Sequence, residues 1–312
     1  MRHIPVLLLA ALLAVLRPAV AHADVLYGLV SESGTTRLYE IDAATGARTP
    51  IFDTGIASTA LGTHAFDPVR RRFFFSSFTS LYAIDIPAAT MTSLGVFASN
   101  IEYDPATDTI YGLENVAGQY TLFAIDPDTG AQSPVVATGI TSTAAGISAF
   151  DPGGRRFFFA SLLPTLQLWR IDLAGPTVTP LGSFAGNTEF DVTTNLLYGS
   201  TVDSGQVKIF AIDPLTGVQT QVLATGVSNS AAGSSSFDPI GRRYFFSSLS
   251  ELFAANLTTA TVTSLGSLAL PIEFFRSPAL AGAQGAPALD WRGIAVLVIA
   301  IAVFASRRLM GS

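Results

Sequence analysis

Three observations predict an all-β fold built from six similar four-stranded units. First, short strings recur at spacings of 84 and 87 residues, as in Phe66-Asp67-Pro68, Phe150-Asp151-Pro152 and Phe237-Asp238-Pro239. Second, runs of β-branched and aromatic residues alternate with turns rich in Gly, Pro, Asn and Asp, which is the strand pattern. Third, no window has the apolar spacing of an amphipathic helix. Four-stranded units of this length are typical of a β-propeller, whose blades surround a central channel.

Two kinds of unit alternate along the chain. One kind carries Phe-Asp-Pro followed by an arginine pair and an aromatic run, and its predicted blades are 63–98, 148–185 and 234–269. The other kind carries a glutamate followed by an aromatic residue, and its predicted blades are 99–140, 186–227 and a truncated 25–56. The sequence therefore predicts six blades, arranged as three double-blade repeats.

Each unit contains signals for four strands. The first strand ends at the Asp-Pro turn, where proline presets φ and removes a ladder donor. The second is the aromatic run, or residues 109–113 in the other kind of unit. The third is residues 80–85 and their equivalents, and a turn such as Asp128-Thr129-Gly130 leads to the fourth.

The truncated first unit lacks a first strand, because it begins directly at Val25-Leu26-Tyr27-Gly28-Leu29. Residues 271–275 read Pro-Ile-Glu-Phe-Phe and resemble the first strands of the sibling units. We expect them to supply the missing innermost strand, which would join both ends of the chain in one sheet and leave no open edge. The alternative is a stray apolar strand before a linker.

The two ends of the chain predict export. Residues 1–23 have a basic start, an apolar run and the small-x-small string Ala21-His22-Ala23, the layout of a secretory signal peptide. Residues 24–278 would form the propeller, 279–289 a flexible linker, and 290–312 a C-terminal transmembrane helix and sorting signal. Arg307 and Arg308 would stay cytoplasmic and place the propeller on the outer side of the membrane.

Composition excludes several classes of function. Removing residues 1–23 leaves 15 basic and 23 acidic residues, so the net charge moves from −6 to −8. Nucleic acid is therefore not expected as a partner, because phosphate binding needs a basic field. The chain has no cysteine, which excludes a thiol nucleophile and a disulfide framework and disfavours a zinc site.

Two resemblances to known families follow from short motifs. Residues 286–291 (Ala-Pro-Ala-Leu-Asp-Trp), a short apolar stretch and a terminal arginine pair resemble the IPTL-CTERM family of bacterial sorting tails, with Ala286 and Ala288 in place of its Ile and Thr. That resemblance implies sorting in the envelope of a Gram-negative bacterium, with a processing enzyme as a partner. The Ile-Asp-x-x-Thr-Gly turns resemble those of YVTN-type and quinoprotein-type propellers.

One set of glutamates occupies the same place in alternate innermost strands: Glu102, Glu189 and Glu273. Asn100 and Asn187 lie two residues before two of them. If these side chains converged on the channel, their oxygens could hold Ca²⁺ as a metal site or another ligand, or act as acid–base carboxylates. The other interpretation is structural: the glutamates point between blades and pair locally.

Arginine pairs and long loops form two further candidates. The pairs Arg71-Arg72, Arg155-Arg156 and Arg242-Arg243 begin second strands, where they would either bind an anionic surface or pair with Asp67, Asp151 and Asp238. On the opposite face, loops 54–64, 138–148 and 225–235 are rich in Ser, Thr, Gly and Ala. These loops could bind a sugar or peptide or pack tightly between blades. The sequence places no Ser and Asp with His64 in the pattern of a catalytic triad.

Two functions from different classes follow. The first is an exported, anchored propeller that binds a glycan, peptide or protein and catalyses nothing. The second is a metal-dependent hydrolase resembling gluconolactonase-type six-bladed propellers, with the three glutamates and two asparagines as metal-site candidates. No cofactor is expected under the first function, and calcium under the second.

Overall fold

The computed structural model of the protein describes residues 24–60, 62–95, 99–163, 166–184, 186–267 and 271–275. Residues 24–275 form one compact unit. The predicted signal peptide, linker and C-terminal helix lie outside the described residues. Among the residues described, no helix is long and apolar enough to span a membrane.

In the described part of the chain, strands form six antiparallel sheets of four strands each, and every sheet is one blade. The strands of blades 1 to 3 are β1 Val25–Glu32, β2 Thr35–Asp42, β3 Arg48–Asp53; β4 His64–Asp67, β5 Arg72–Ser76, β6 Leu81–Asp85, β7 Thr90–Ser93; and β8 Ser99–Asp104, β9 Thr109–Val116, β10 Gln119–Ile125, β11 Gln132–Ala137. The strands of blades 4 to 6 are β12 Ser148–Asp151, β13 Arg156–Ser161, β14 Gln167–Asp172, β15 Thr177–Gly182; β16 Asn187–Asp191, β17 Leu196–Asp203, β18 Gln206–Ile212, β19 Gln219–Ala224; and β20 Ser235–Asp238, β21 Arg243–Ser247, β22 Glu251–Asn256, β23 Thr261–Ser267. The prediction of six blades is confirmed.

The ring closes through the strand predicted for that purpose. The last strand, β24 (Ile272–Phe275), pairs antiparallel with β1, with Val25 opposite Phe275 and Gly28 opposite Ile272. The innermost strands β4, β8, β12, β16, β20 and β24 contact one another in succession around the channel. Blade 1 therefore takes its inner strand from the far end of the chain, as the sequence predicts.

The core of the described residues has one apolar cluster at each of the six interfaces between neighbouring blades, and a small seventh cluster joins a long loop to blade 4. The aromatic runs explain how one sheet serves two interfaces. Successive side chains of a strand point to opposite faces, so Phe73 and Phe75 pack against blade 1 while Phe74 packs against blade 3. All three side chains are fully buried. A continuous apolar run is thus required, because both faces of the strand are covered.

The blades define two faces of the propeller. The turn face carries the Asp-Pro turns, in which Asp67 accepts hydrogen bonds from the backbone N–H groups of Val69 and Arg70. The described ring begins at Asp24 and ends at Phe275, and both residues lie on this turn face because Val25 pairs with Phe275. The loop face, at the other end of the channel, carries the long loops 54–63, 138–147 and 225–234.

Candidate functional site

Three glycines close the channel at the loop face, and we call them the glycine cap. Gly62, Gly146 and Gly233 have φ values of +67°, +72° and +66°, a left-handed conformation that favours glycine. A Cβ atom at Gly62 would lie 2.4 Å from the Cα of Gly233 and 2.6 Å from the Cα of Gly146. The three long loops therefore meet on the pseudo-threefold axis, where nothing larger than glycine fits.

The two predicted asparagine ligands hold the glycine cap. The Nδ2 of Asn100 donates to the backbone oxygen of Ala144 at 2.9 Å, and the N–H of Gly146 donates to Asn100 Oδ1 at 2.8 Å. Asn187 makes the same pair of bonds with loop 225–234, at 2.7 Å each. Both side-chain amides therefore bind the backbone of a long loop instead of a ligand in the channel.

Beneath the cap lies a ring of carboxyl groups that we call the channel glutamates: Glu102 on β8, Glu189 on β16 and Glu273 on β24. Each one faces the first residue of the inner strand in the following blade. Ser235 Oγ donates to Glu189 Oε1 at 2.6 Å, and the hydroxyl of Ser148 bonds to Glu102 in the same way. At the closing seam His64 takes the place of the serine, with Nε2 at 3.6 Å from Glu273 Oε1.

Burial raises the pKa of all three channel glutamates. Burial raises the pKa of Glu102 to about 8, with repulsion from Glu189 adding to the rise, and burial raises the pKa of Glu189 to about 7. Burial and repulsion from both other carboxylates raise the pKa of Glu273 well above its ordinary value. The side chain of Glu273 is 22% exposed, so water still reaches a carboxyl group that the protein encloses.

His64 links the cap to the closing strand. Its Nδ1 lies 3.0 Å from the backbone oxygen of Gly62, and its Nε2 lies 3.0 Å from the backbone oxygen of Ile272. Burial lowers the pKa of His64 to about 4, although the two carbonyl oxygens favour the charged ring. Both nitrogens face backbone oxygens, and the neutral ring donates to one of them, as expected of a structural histidine rather than a catalytic one.

The predicted calcium site stays a prediction, and the structure shows only the surroundings of its candidate ligands. Among the described residues, no group of three or more His, Asp or Glu is placed to hold a metal ion. Glu102 and Glu189 hydrogen-bond to serine hydroxyls of the neighbouring blade, and burial raises the pKa of all three carboxyl groups. Ca²⁺ prefers ionised carboxylate ligands, so these raised pKa values disfavour its binding.

The second arginine of each predicted pair binds the aspartate of its own turn. Arg72 Nε donates to Asp67 Oδ2 at 3.1 Å, and Arg156 and Arg243 bind Asp151 and Asp238 in the same way. These guanidinium groups also reach the next blade, as Arg243 does by donating to the backbone oxygen of Ala43 at 3.0 Å. Local pairing, the structural alternative, accounts for these three charges.

The first arginine of each pair binds the preceding blade. Arg155 donates to Asp104 Oδ2 at 3.0 Å and to the hydroxyl of Tyr111 at 2.9 Å, and Arg242 binds Asp191 and Tyr198 equivalently. At the seam, Arg71 donates to the hydroxyl of Tyr27 at 2.6 Å and lies over the ring of Phe275, which stands where the aspartate would be. The six arginines therefore connect blades.

A cleft of about 520 Å³ opens on the loop face between blades 2 and 3, and we call it the loop-face cleft. Phe78, from the turn between β5 and β6, forms one wall with 67% of its side chain exposed. Tyr120, Glu114 and Asn115 line another part, and Thr63 and Thr143 come from the long loops. The volume falls within the range of about 300–1,000 Å³ that is typical of small-molecule sites.

Polar groups in this cleft are not used by the protein itself. Within the described residues, the carboxylate of Glu114 and the hydroxyls of Tyr120 and Thr143 have no hydrogen-bond or ion-pair partner. Thr63 is 1% exposed, and its Oγ1 is buried without a partner. Glu114 therefore offers a carboxylate that no described side chain of the protein neutralises.

Comparison with known proteins gives the family. DUF6923, described as a repeat of unknown function, matches residues 76–238, which is more than half of the chain. The chain belongs to the DUF6923 family. Among curated proteins, no sequence matches it significantly. The resemblance of the last residues to IPTL-CTERM tails lies outside this match and outside the described residues, and it stays a prediction.

Solved structures support the propeller fold of this DUF6923 protein. TolB from Acinetobacter baumannii is 16% identical, with a TM-score of 0.64 over 82% of this chain and 67% of that one. A structure of the nidogen/laminin complex is 12% identical, with a TM-score of 0.63 over 81% and 98%. An oligogalacturonate lyase from Vibrio parahaemolyticus is 12% identical, with a TM-score of 0.51 over 78% and 74%. At these identities the likeness shows the fold alone.

The double-blade repeats of the DUF6923 chain show where the loop-face cleft is special. The equivalent cleft between blades 4 and 5 has about 230 Å³. There Ile147 stands at the position of Thr63, and Thr201 and Val202 stand at the positions of Glu114 and Asn115. Sequence analysis recognises candidate sites from residues that recur in every repeat. The loop-face cleft is formed where one repeat departs from the others, so it was missed.

Proposed function

We propose that this chain is a non-catalytic binding module of the cell envelope, and that it holds its ligand in the loop-face cleft. One observation carries the proposal: an exposed aromatic wall, Phe78, stands beside polar groups that bind nothing within the described protein. Polar groups that face a concave surface and that the protein leaves unpaired are available to a ligand. A bound ligand would supply their partners.

The chemistry of the cleft favours binding over catalysis. Acid–base hydrolysis of a glycosidic bond needs two carboxyl groups, and nucleophilic catalysis needs a base beside the nucleophile. The described residues that line the cleft include one carboxylate, Glu114, and no His, Asp or Lys. The hydrolase alternative relies on the channel glutamates as metal ligands, and no described group of three His, Asp or Glu residues is placed to hold a metal ion.

The envelope location rests on the signal peptide and sorting tail that the sequence predicts. The fold is compatible with it, because the TolB structure shares the propeller architecture.

An array experiment tests the function. The purified full-length protein is incubated with immobilised oligosaccharides of neutral, anionic and cationic classes and with a library of short peptides. We expect retention by at least one class, and loss of that retention in Phe78→Ala. Leu249→Ala is the matched control, because Leu249 lies in the equivalent turn of blade 6 and is 70% exposed. Absence of any retained class, or equal retention by Phe78→Ala, would overturn the proposal.

A further inference from the structure

We infer that the loop-face cleft takes an uncharged saccharide unit, with its ring against Phe78 and its hydroxyl groups on Glu114, Asn115 and the cleft hydroxyls. This inference rests on the proposed function and names the ligand class of the same site. Three properties of the cleft support it: the sign of its charge, its mixture of donors and acceptors, and its aromatic wall.

The charge of the cleft disfavours anionic ligands. Its described lining residues contain no Lys or Arg, and they contain one carboxylate without a cationic partner. Phosphate, carboxylate and uronic acid groups are normally bound by arginine, lysine or a cluster of N–H donors. Such a group would be repelled by Glu114 and would find no guanidinium to compensate.

The free polar groups suit a ligand that both donates and accepts hydrogen bonds. An ionised Glu114 only accepts hydrogen bonds. Asn115 offers a ligand only its Nδ2 donor, because its Oδ1 already accepts a hydrogen bond from the backbone N–H of Gly118. The hydroxyls of Tyr120 and Thr143 do both. A sugar presents several adjacent hydroxyl groups with the same double capacity, so it can satisfy an acceptor, a donor and hydroxyls at once.

The apolar part of the cleft suits the C–H face of a sugar ring. Phe78 is 67% exposed, and the exposed Ala145 adds apolar surface. The face of an aromatic ring carries negative charge and attracts the weakly positive hydrogens of C–H groups. A saccharide is apolar on its ring faces and polar at its edge, which matches one aromatic wall beside a polar one.

An amine is the main competing ligand, because Phe78 and Glu114 would also attract a cation. An ammonium group, however, only donates hydrogen bonds. It would leave the Nδ2 of Asn115 without an acceptor, and it would not reach as many of the hydroxyls.

The test compares three classes of probe in solution with the full-length protein. The neutral probes are gluco-, galacto-, manno- and N-acetylhexosamine oligosaccharides, the anionic probe is trigalacturonate, and the cationic probe is N-acetyl-lysine methylamide. We expect saturable binding of a neutral probe, a loss of about ten-fold or more in affinity in Glu114→Gln because a charge-assisted hydrogen bond is weakened, and unchanged affinity in Glu251→Gln. Glu251 is the matched control, an exposed glutamate on the loop-face side of blade 6.

The outcomes separate this inference from the proposed function. Binding of the cationic or anionic probe alone, with sensitivity to Phe78→Ala, would refute the saccharide and leave the binding module standing. Binding of a neutral probe that is indifferent to both Phe78→Ala and Glu114→Gln would place the saccharide elsewhere and refute both. Absence of binding by every neutral probe would refute the saccharide.

Discussion

Replacing Glu102 by glutamine should make the propeller more stable at alkaline pH and leave it almost unchanged at acidic pH. Burial raises the pKa of Glu102 from its ordinary value of 4.5 to about 8 in the folded protein. The folded state therefore holds a proton that the unfolded chain releases. Stability is full below pH 4.5 and falls as the pH rises towards the folded pKa, because ionising the buried carboxyl is unfavourable.

The magnitude follows from the size of the shift. One pKa unit corresponds to about 1.4 kcal/mol, so a rise from 4.5 to about 8 gives a penalty of roughly 5 kcal/mol above pH 8. Glutamine cannot ionise and keeps the shape of the protonated carboxyl. At pH 9 the variant should exceed the wild type by an amount on the order of 2–5 kcal/mol, the lower figure allowing for water that enters the channel.

Urea unfolding at pH 5, 7 and 9 measures the effect in both proteins. Glu251→Gln is the control, because Glu251 is exposed and lies on the outer part of blade 6. The difference between Glu102→Gln and the wild type should grow with pH, while the difference for the control should stay constant. An equal loss of stability in Glu102→Gln and the wild type between pH 5 and pH 9 would refute this account of the channel.

Three further predictions concern closure, the cap and calcium. A chain ending at residue 267 should have a free energy of unfolding about 5 kcal/mol or more below that of a chain ending at residue 275, because β24 buries Ile272 and Phe275. Equal urea midpoints for the two chains would contradict ring closure. Gly146→Ala should lower the free energy of unfolding by at least about 2 kcal/mol more than Gly139→Ala does in the same assay. Both glycines have positive φ, but only a Cβ at Gly146 would meet another glycine Cα, at 2.5 Å. Equal losses in the two variants would contradict the glycine cap. Millimolar calcium should leave the midpoint of thermal unfolding unchanged, because the described residues form no metal cluster. A rise of several degrees would support a calcium site.

Much of the fold can be predicted from the sequence, because a propeller repeats. The spacings of 84 and 87 residues give the blade count, and the missing first strand of the first unit points to residues 271–275. The register at the seam, with Tyr27 opposite Glu273, follows from matching that strand to its siblings. Strand ends are less well predicted: β9 extends to Val116, three residues beyond the predicted end.

The candidate site is only partly predictable, for a physical reason. Equal positions in alternate strands indicate that the channel glutamates form one ring. The sequence does not show that the side-chain amides of Asn100 and Asn187 are hydrogen-bonded to loop backbones. The glycine cap left a signal, since its members also lie 84 and 87 residues apart. The loop-face cleft depends on departures from the repeat, such as Thr63 against Ile147, and these become meaningful once the repeats are superposed in space.

The location of a bound saccharide tests the central claim most directly. The neutral oligosaccharide with the highest affinity would be soaked into crystals of the full-length protein, and the complex structure determined. We predict a sugar ring against Phe78 in the loop-face cleft, with a hydroxyl within about 3 Å of a Glu114 carboxylate oxygen. A sugar bound at the turn face, or in the cleft between blades 4 and 5, would contradict the claim.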